Sequence, residues 1–204
     1  VTAEATGTGL SSCIAVAIAH DQRGSRSLLS LGQRIGFGTV VDHSDYSQIE
    51  PLQLPFFLMH YAISDPAKAQ LLHALRRSPQ FNVRFAPIIL IMPDGPLDLV
   101  HYIEMGFDDV ICLPEKAPIL TARFNNQLGQ EKLFIEAEGY LGPDRRRMAG
   151  GDAANRRTAD TTHTRIIIVR QPGRGVSVLK RQLVLRGRSD AAPTHERASS
   201  QSVR

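Results

Sequence analysis

The sequence has no tryptophan, two cysteines and few aromatic residues, 6% of the chain. Two cysteines cannot supply the disulfide framework of a small secreted scaffold. Cys13 and Cys112 both sit in apolar runs, where a thiol behaves as a small core hydrophobe in a reducing compartment. No apolar run approaches the ~20 residues that span a bilayer. The best candidate, Cys13–Ala19 (CIAVAIA), is followed at once by His20 and Asp21, and no basic stretch precedes it. It reads neither as a membrane span nor as a signal peptide, and a cytoplasmic location is expected. The sequence also lacks a phosphate-cradling Gly-x-x-x-x-Gly-Lys loop, a nucleophile elbow and an internal repeat. Gly24, Gly36 and Gly38 read as turn and helix punctuation. No cofactor is expected.

What is present is enough for one good core. The chain has 204 residues, 42% of them hydrophobic and 22% charged, as in a globular domain. Its net charge of +4 hides an asymmetry. Residues 1–140 carry 10 Lys and Arg against 15 Asp and Glu, a balance of −5, and residues 141–204 carry 14 against 5, a balance of +9. An acidic body with a basic tail is expected to be two physical objects.

The body alternates apolar runs with amphipathic segments. Cys13–Ala19 has strand length. Arg26 to Ile35 places Leu28, Leu31 and Ile35 on one helical stripe, closed by Gly36 and Gly38. Thr39–Val41 is a short strand, and Leu54–Tyr61 is another buried-type run, with Pro55 near its start. Asp65 as N-cap and Pro66 at the first helical position open a helix through Leu71, Leu72 and Leu75. Pro87–Met92 reads as a strand, Asp94-Gly95-Pro96 opens a helix as far as Gly106, and Val110–Leu113 is the last short strand. A long helix is expected from about Ala117 to Ala137, with Leu120, Phe124 and Leu128 on one stripe. This order implies an α/β fold with a five-stranded parallel doubly wound sheet of flavodoxin-like type. Residues 1–11 are expected to be disordered, and the domain to run over 12–138.

Residues 139–164 lack periodicity and read as a flexible basic linker. Over 165–186 two strand-like runs, RIIIVR and VSVLKRQLVL, flank the turn QPGRG and signal a β-hairpin. A lone hairpin is marginal in water and needs a docking surface. Residues 187–204 are expected to be a disordered tail.

Glu104–Phe124 (EMGFDDVICLPEKAPILTARF) resembles the end of a receiver domain of the two-component response regulators, where the pattern runs E-A-G-A-D-D-Y-L-x-K-P-F-x-P-E-E-L-L-A-R-I. Glu104, Gly106, Asp108, Asp109, Pro114, Leu120, Ala122 and Arg123 match without gaps. The resemblance spans about residues 12–130 and implies a receiver-type fold in phosphorelay signalling. It also implies that the phosphorylation site is degenerate. His20 and Asp21 stand where the family has its Mg²⁺-binding acidic pair, and His60 where it has the phosphoacceptor aspartate. Met92 replaces the Ser/Thr that reads the phosphoryl group, Leu113 the lysine, and Val110 the switch aromatic. Mg²⁺ prefers oxygen ligands, a neutral alkyl group cannot stabilise a phosphoryl oxygen, and so aspartyl phosphorylation by the usual route is not expected.

The function expected from these residues is a non-catalytic, phosphorylation-independent signalling or adaptor module working by protein–protein contacts. The stripe Leu120, Phe124 and Leu128 reads first as cover for the sheet and second as a docking surface, with the extension through Leu133, Phe134 and Ile135 in need of a partner. That partner would be another signalling protein, a second copy or the hairpin on the last helix, with the basic run Arg145-Arg146-Arg147 as a second contact. The alternatives are a response regulator whose basic C-terminal region binds nucleic acid, and a domain in which His20, Asp21 and His60 hold a transition metal. Against these stand the simpler readings of a refilled pocket and a solvated basic linker, with the acidic body itself as the tail's partner. An enzyme is not expected, because no loop offers both a nucleophile and a base.

Overall fold

The computed structural model describes residues 9–48, 53–95, 99–144 and 162–185. A 3-10 turn, Gly9–Ser12, with Leu10 fully buried in the core, corrects the disorder expected at the end of residues 1–11 and leads into strand β1, Cys13–Ile18. Helix α1 (Gln22–Ile35), strands β2 (Thr39–Asp42) and β3 (Leu54–His60), and helix α2 (Asp65–Arg76) follow. Then come the one-turn helix α3 (Phe81–Arg84), strand β4 (Ile88–Pro93), helix α4 (Leu99–Met105), strand β5 (Asp109–Leu113) and helix α5 (Ala117–Asn125). Strands β1 to β5 form one parallel sheet in the order β2-β1-β3-β4-β5. This is the flavodoxin-like doubly wound arrangement.

Both faces of that sheet are covered, which is why its strands are continuously apolar. Ala15, Phe56, Leu58 and Ile111 pack with Leu28, Leu31 and Ile35 of α1 and with Leu120 and Phe124 of α5. Val16, Phe57, Met59 and Leu90 point the other way, against Leu72 of α2 and the partly buried Tyr102 and Ile103 of α4. On the first face Phe37 meets Phe56 and Phe124 edge-on, at ring separations of 5.1 and 5.6 Å. Such pairs contribute about 0.5–1.5 kcal/mol beyond their buried area. Helix α1 ends where Gly36 takes φ 97° and returns its N–H to the last turn, a conformation that a Cβ would strain.

The structure corrects the end of the expected domain. Helix α5 stops at Asn125, and residues 131–137 are a strand, β6, rather than the continuation of a helix. The four-residue spacing of Leu120, Phe124 and Leu128 misled because Leu128 belongs to the turn beyond the helix and still reaches the same core. Gly129, at φ 68°, then turns the chain and donates its N–H to Arg170 O at 2.9 Å.

The expected linker is corrected at both of its ends. Tyr140–Pro143 forms strand β7, paired antiparallel with β6, and β8 begins at His163. Residues 145–161 lie outside the described residues. The hairpin is present as β8 (His163–Gln171) and β9 (Gly175–Val184), and β6 is the surface it docks on. Together these strands form an antiparallel sheet in the order β7-β6-β8-β9. Ile166, Ile168 and Arg170 share the buried face of β8, as period-two alternation requires. The two isoleucines pack with Phe134 of β6 and Phe85 at the end of α3. This small cluster is separate from the parallel sheet's own core, but Val176 of β9 packs against both, so the C-terminal strands are not a tethered tail. No helix among the described residues is long and apolar enough to cross a membrane.

Candidate functional site

Ligands of open α/β sheets bind beyond the carboxyl ends of the strands. Here those ends present His20 and Asp21 after β1, His60 as the last residue of β3, Met92 near the end of β4 and Leu113 closing β5. His60, Met92 and Leu113 line one cleft of about 490 Å³, with Ser27, Ser30 and Arg34 of α1 on its opposite wall. The register expected from the sequence thus brings these three together. Met92 is buried and supplies an apolar floor.

Asp21 serves helix α1. It is the N-cap, in extended conformation, and its Oδ1 accepts the Gly24 N–H at 2.7 Å. That bond is the main reason its carboxyl titrates below the usual range, with the charges of His20 and His60 adding to it. The same turn closes over the histidine. A Cβ at Gly24 would lie 3.2 Å from the His60 ring, so the helix start and the imidazole are in close approach. His60 Nδ1 accepts from the Ala62 N–H at 3.3 Å, and its ring lies 4.6 Å from that of Tyr61. Partial burial lowers the His60 pKa, while Asp21 acts the other way. The imidazole is therefore neutral near pH 7.

Asp42, at the end of β2, is a carboxylate that sequence reasoning did not single out. It accepts hydrogen bonds from the Ser25 hydroxyl and from the N–H and hydroxyl of Ser44. The Ser25 bond does most to hold its pKa low. The side chains at this end thus bond to helix starts and to neighbouring hydroxyls. Among the described residues no three His, Cys, Asp or Glu side chains are grouped as a metal site.

Leu120 and Phe124 are completely buried, and Leu128 is nearly so. This corrects their expected role in docking, because they fill the core beneath the sheet and present nothing to a partner. Arg145, Arg146 and Arg147 lie outside the described residues.

A second polar constellation went unrecognised in the sequence. Asp108, just before β5, has a buried carboxylate side chain that accepts from three directions. Arg76 reaches its Oδ2 at 2.5 Å, Arg170 its Oδ1 at 2.6 Å, and the Ile88 N–H its Oδ2 at 2.9 Å. Arg76 also donates to the carbonyls of Arg84 and Ala86, and Arg170 to Phe85 O and Gln127 Oε1. Both guanidiniums lie over the Phe134 ring, at 5.3 and 5.5 Å. Burial alone would raise the Asp108 pKa, but Arg170 and Arg76 overturn that and bring it to about 2. The signal was there to be read. Arg170 lies in phase with Ile166 and Ile168, and a charged residue on an apolar strand face requires a buried partner.

The chain matches no protein-family model and no curated protein.

Proposed function

We propose that this chain is a receiver-type signalling or adaptor module that acts by protein–protein contacts and does not depend on phosphorylation. The observation carrying this reading is the cleft at the carboxyl ends of the strands. Where the receiver pattern needs a phosphoacceptor, a hydroxyl and a lysine, its walls carry His60, Met92 and Leu113. Asp21, the one position of matching type, is already engaged as a helix cap. The cleft also holds Ser27, Ser30 and Glu115, so the reading rests on the missing phosphoacceptor carboxylate and lysine and not on a lack of hydroxyl groups.

Contacts are the remaining way for such a module to act. Leu99 and Val100 on α4 and Ile119 on α5 are exposed, and these helices flank β5, the edge strand of the parallel sheet. The two helices cover opposite faces of the sheet, and the edge they flank, with these exposed side chains on either side of it, is the surface we assign to a partner. Both cysteines are free, which suits the reducing cytoplasm that we infer as its location.

The test is incubation of the full chain with acetyl phosphate and Mg²⁺, followed by intact-mass measurement. No adduct is expected. A gain of about 80 Da, the mass of a phosphoryl group, would overturn the proposal.

A further inference from the structure

A cavity of about 440 Å³ lies between α2, the end of α4 and strands β6 and β7. Its size falls within the range of small-molecule sites, and junctions between structural layers commonly hold them. The side chains facing it are strongly biased in charge. Arg76, Arg77 and Arg84 line it, with His73 beside them, against the single carboxylate of Glu136. Glu136 is already paired with Arg181 of β9.

The Arg76 charge is not neutralised behind the wall either. Its partner Asp108 is shared with Arg170, so two buried guanidiniums face one carboxylate. Uncompensated buried charge is costly, and an anion in the adjoining cavity would offset it. One further observation points the same way. Arg76 is 4% exposed, and its Nε has no hydrogen-bond partner among the described residues. Arg84 is anchored through Nε to Ser78 O at 3.0 Å, which leaves both Nη groups outside that bond. The Tyr140 ring, packed beside Gly106, supplies a flat apolar wall.

We propose that this cavity binds a small ligand carrying a phosphate group, held by Arg77 and Arg84 with Arg76 as the fixed charge behind them. Charge matching selects phosphate over carboxylate. The lining holds three guanidiniums and one carboxylate, and a phosphate monoester near pH 7–8 carries about −1.5 to −2. The planar fork of arginine also fits a tetrahedral oxyanion with paired hydrogen bonds.

The test is calorimetric titration of the full chain with inorganic phosphate at pH 8, and with acetate at the same ionic strength. Saturable binding of one phosphate per chain is expected, with none for acetate. Removing two charge-assisted donors, as in Arg77→Gln with Arg84→Gln, should weaken phosphate binding by about 100-fold or more. Arg77 is exposed, so the single Arg77→Glu variant keeps the fold and should abolish binding by charge reversal. Lys180→Gln, on the exposed strand β9, should bind as the parent does. Equal heats for phosphate and acetate, or unchanged binding in Arg77→Glu, would overturn the proposal.

Discussion

Asp108 and Arg170 stand 62 positions apart in sequence and meet at 2.6 Å in the core between the two sheets. Arg76 holds the other oxygen of the same carboxylate. One acidic side chain therefore joins a helix of the parallel sheet to a strand of the antiparallel one. Such a pair need not stabilise more than an apolar isostere would, but breaking it strands a buried charge.

Asp108→Asn leaves two buried guanidiniums without their counter-charge. It should cost about 3–5 kcal/mol in chemical denaturation. The sign of the pH dependence follows from a carboxyl held at about 2 in the folded chain against about 3.9 unfolded. Its contribution is fully present above pH 4 and is lost as pH falls toward 2. The stability gap between parent and variant should shrink over that window. A gap independent of pH between 4 and 2 would show that Asp108 is not ionised in the fold.

Phe124→Ala separates a core role from an interface role. Phe124 is completely buried and stacked edge-on against Phe37. Its truncation should cost about 3–5 kcal/mol of folding stability, measured by urea denaturation at dilute concentration. A variant as stable as the parent would return Phe124 to the protein's surface.

His60 should titrate below the usual histidine value, because its partial burial outweighs the nearby Asp21. The unfolded chain then binds the proton more readily than the folded one. Stability should fall as pH drops below about 6.5 and level off once the folded form protonates too. NMR titration of the imidazole protons reads this directly, and His60→Gln should remove that part of the slope. A midpoint above 6.5 would mean that Asp21 dominates the site.

Cys13 should be inert. Burial pushes its thiol up to about 12, and the thiolate is the reactive form. An aromatic disulfide reagent at pH 8 should modify the less buried Cys112 first and reach Cys13 only on unfolding. Rapid labelling of Cys13 in the native chain would contradict its place in β1.

The parallel sheet was legible because its strands are buried on both faces and read as unbroken apolar runs, as in Cys13–Ala19 and Pro87–Met92. The meeting of His60, Met92 and Leu113 was legible for the same reason, since residues at the carboxyl ends of parallel strands converge. Of the second sheet, the β8–β9 hairpin was legible from its two apolar runs around a Pro-Gly turn, but β6 and β7 were hidden by composition. Leu133, Phe134 and Ile135 continue an apolar stripe that also fits a helix, and only Gly129 signals the turn that separates them. Tyr140–Pro143 is strand by virtue of pairing with β6, which no local pattern announces. The Asp108 cluster was hidden by distance, because its members come from α2, the start of β5 and β8. Lys68 gave no warning either. It is buried with its ammonium 4.9 Å from the Tyr102 ring centre and paired with Asp65, and its sequence neighbours do not mark it as interior.

Arg170 has a practical consequence for anyone who divides this gene. A stop codon placed at Gly139, where composition suggests a border, removes β7, β8 and β9. The shortened product would lose the guanidinium that occupies its interior and would lay bare the rings of Phe85 and Phe134. A binding defect in such a truncation would report damage to the scaffold and not the loss of a recognition element. Point changes on exposed β9 side chains, such as Leu179 or Lys180, are the safer way to learn what the C-terminal part contributes.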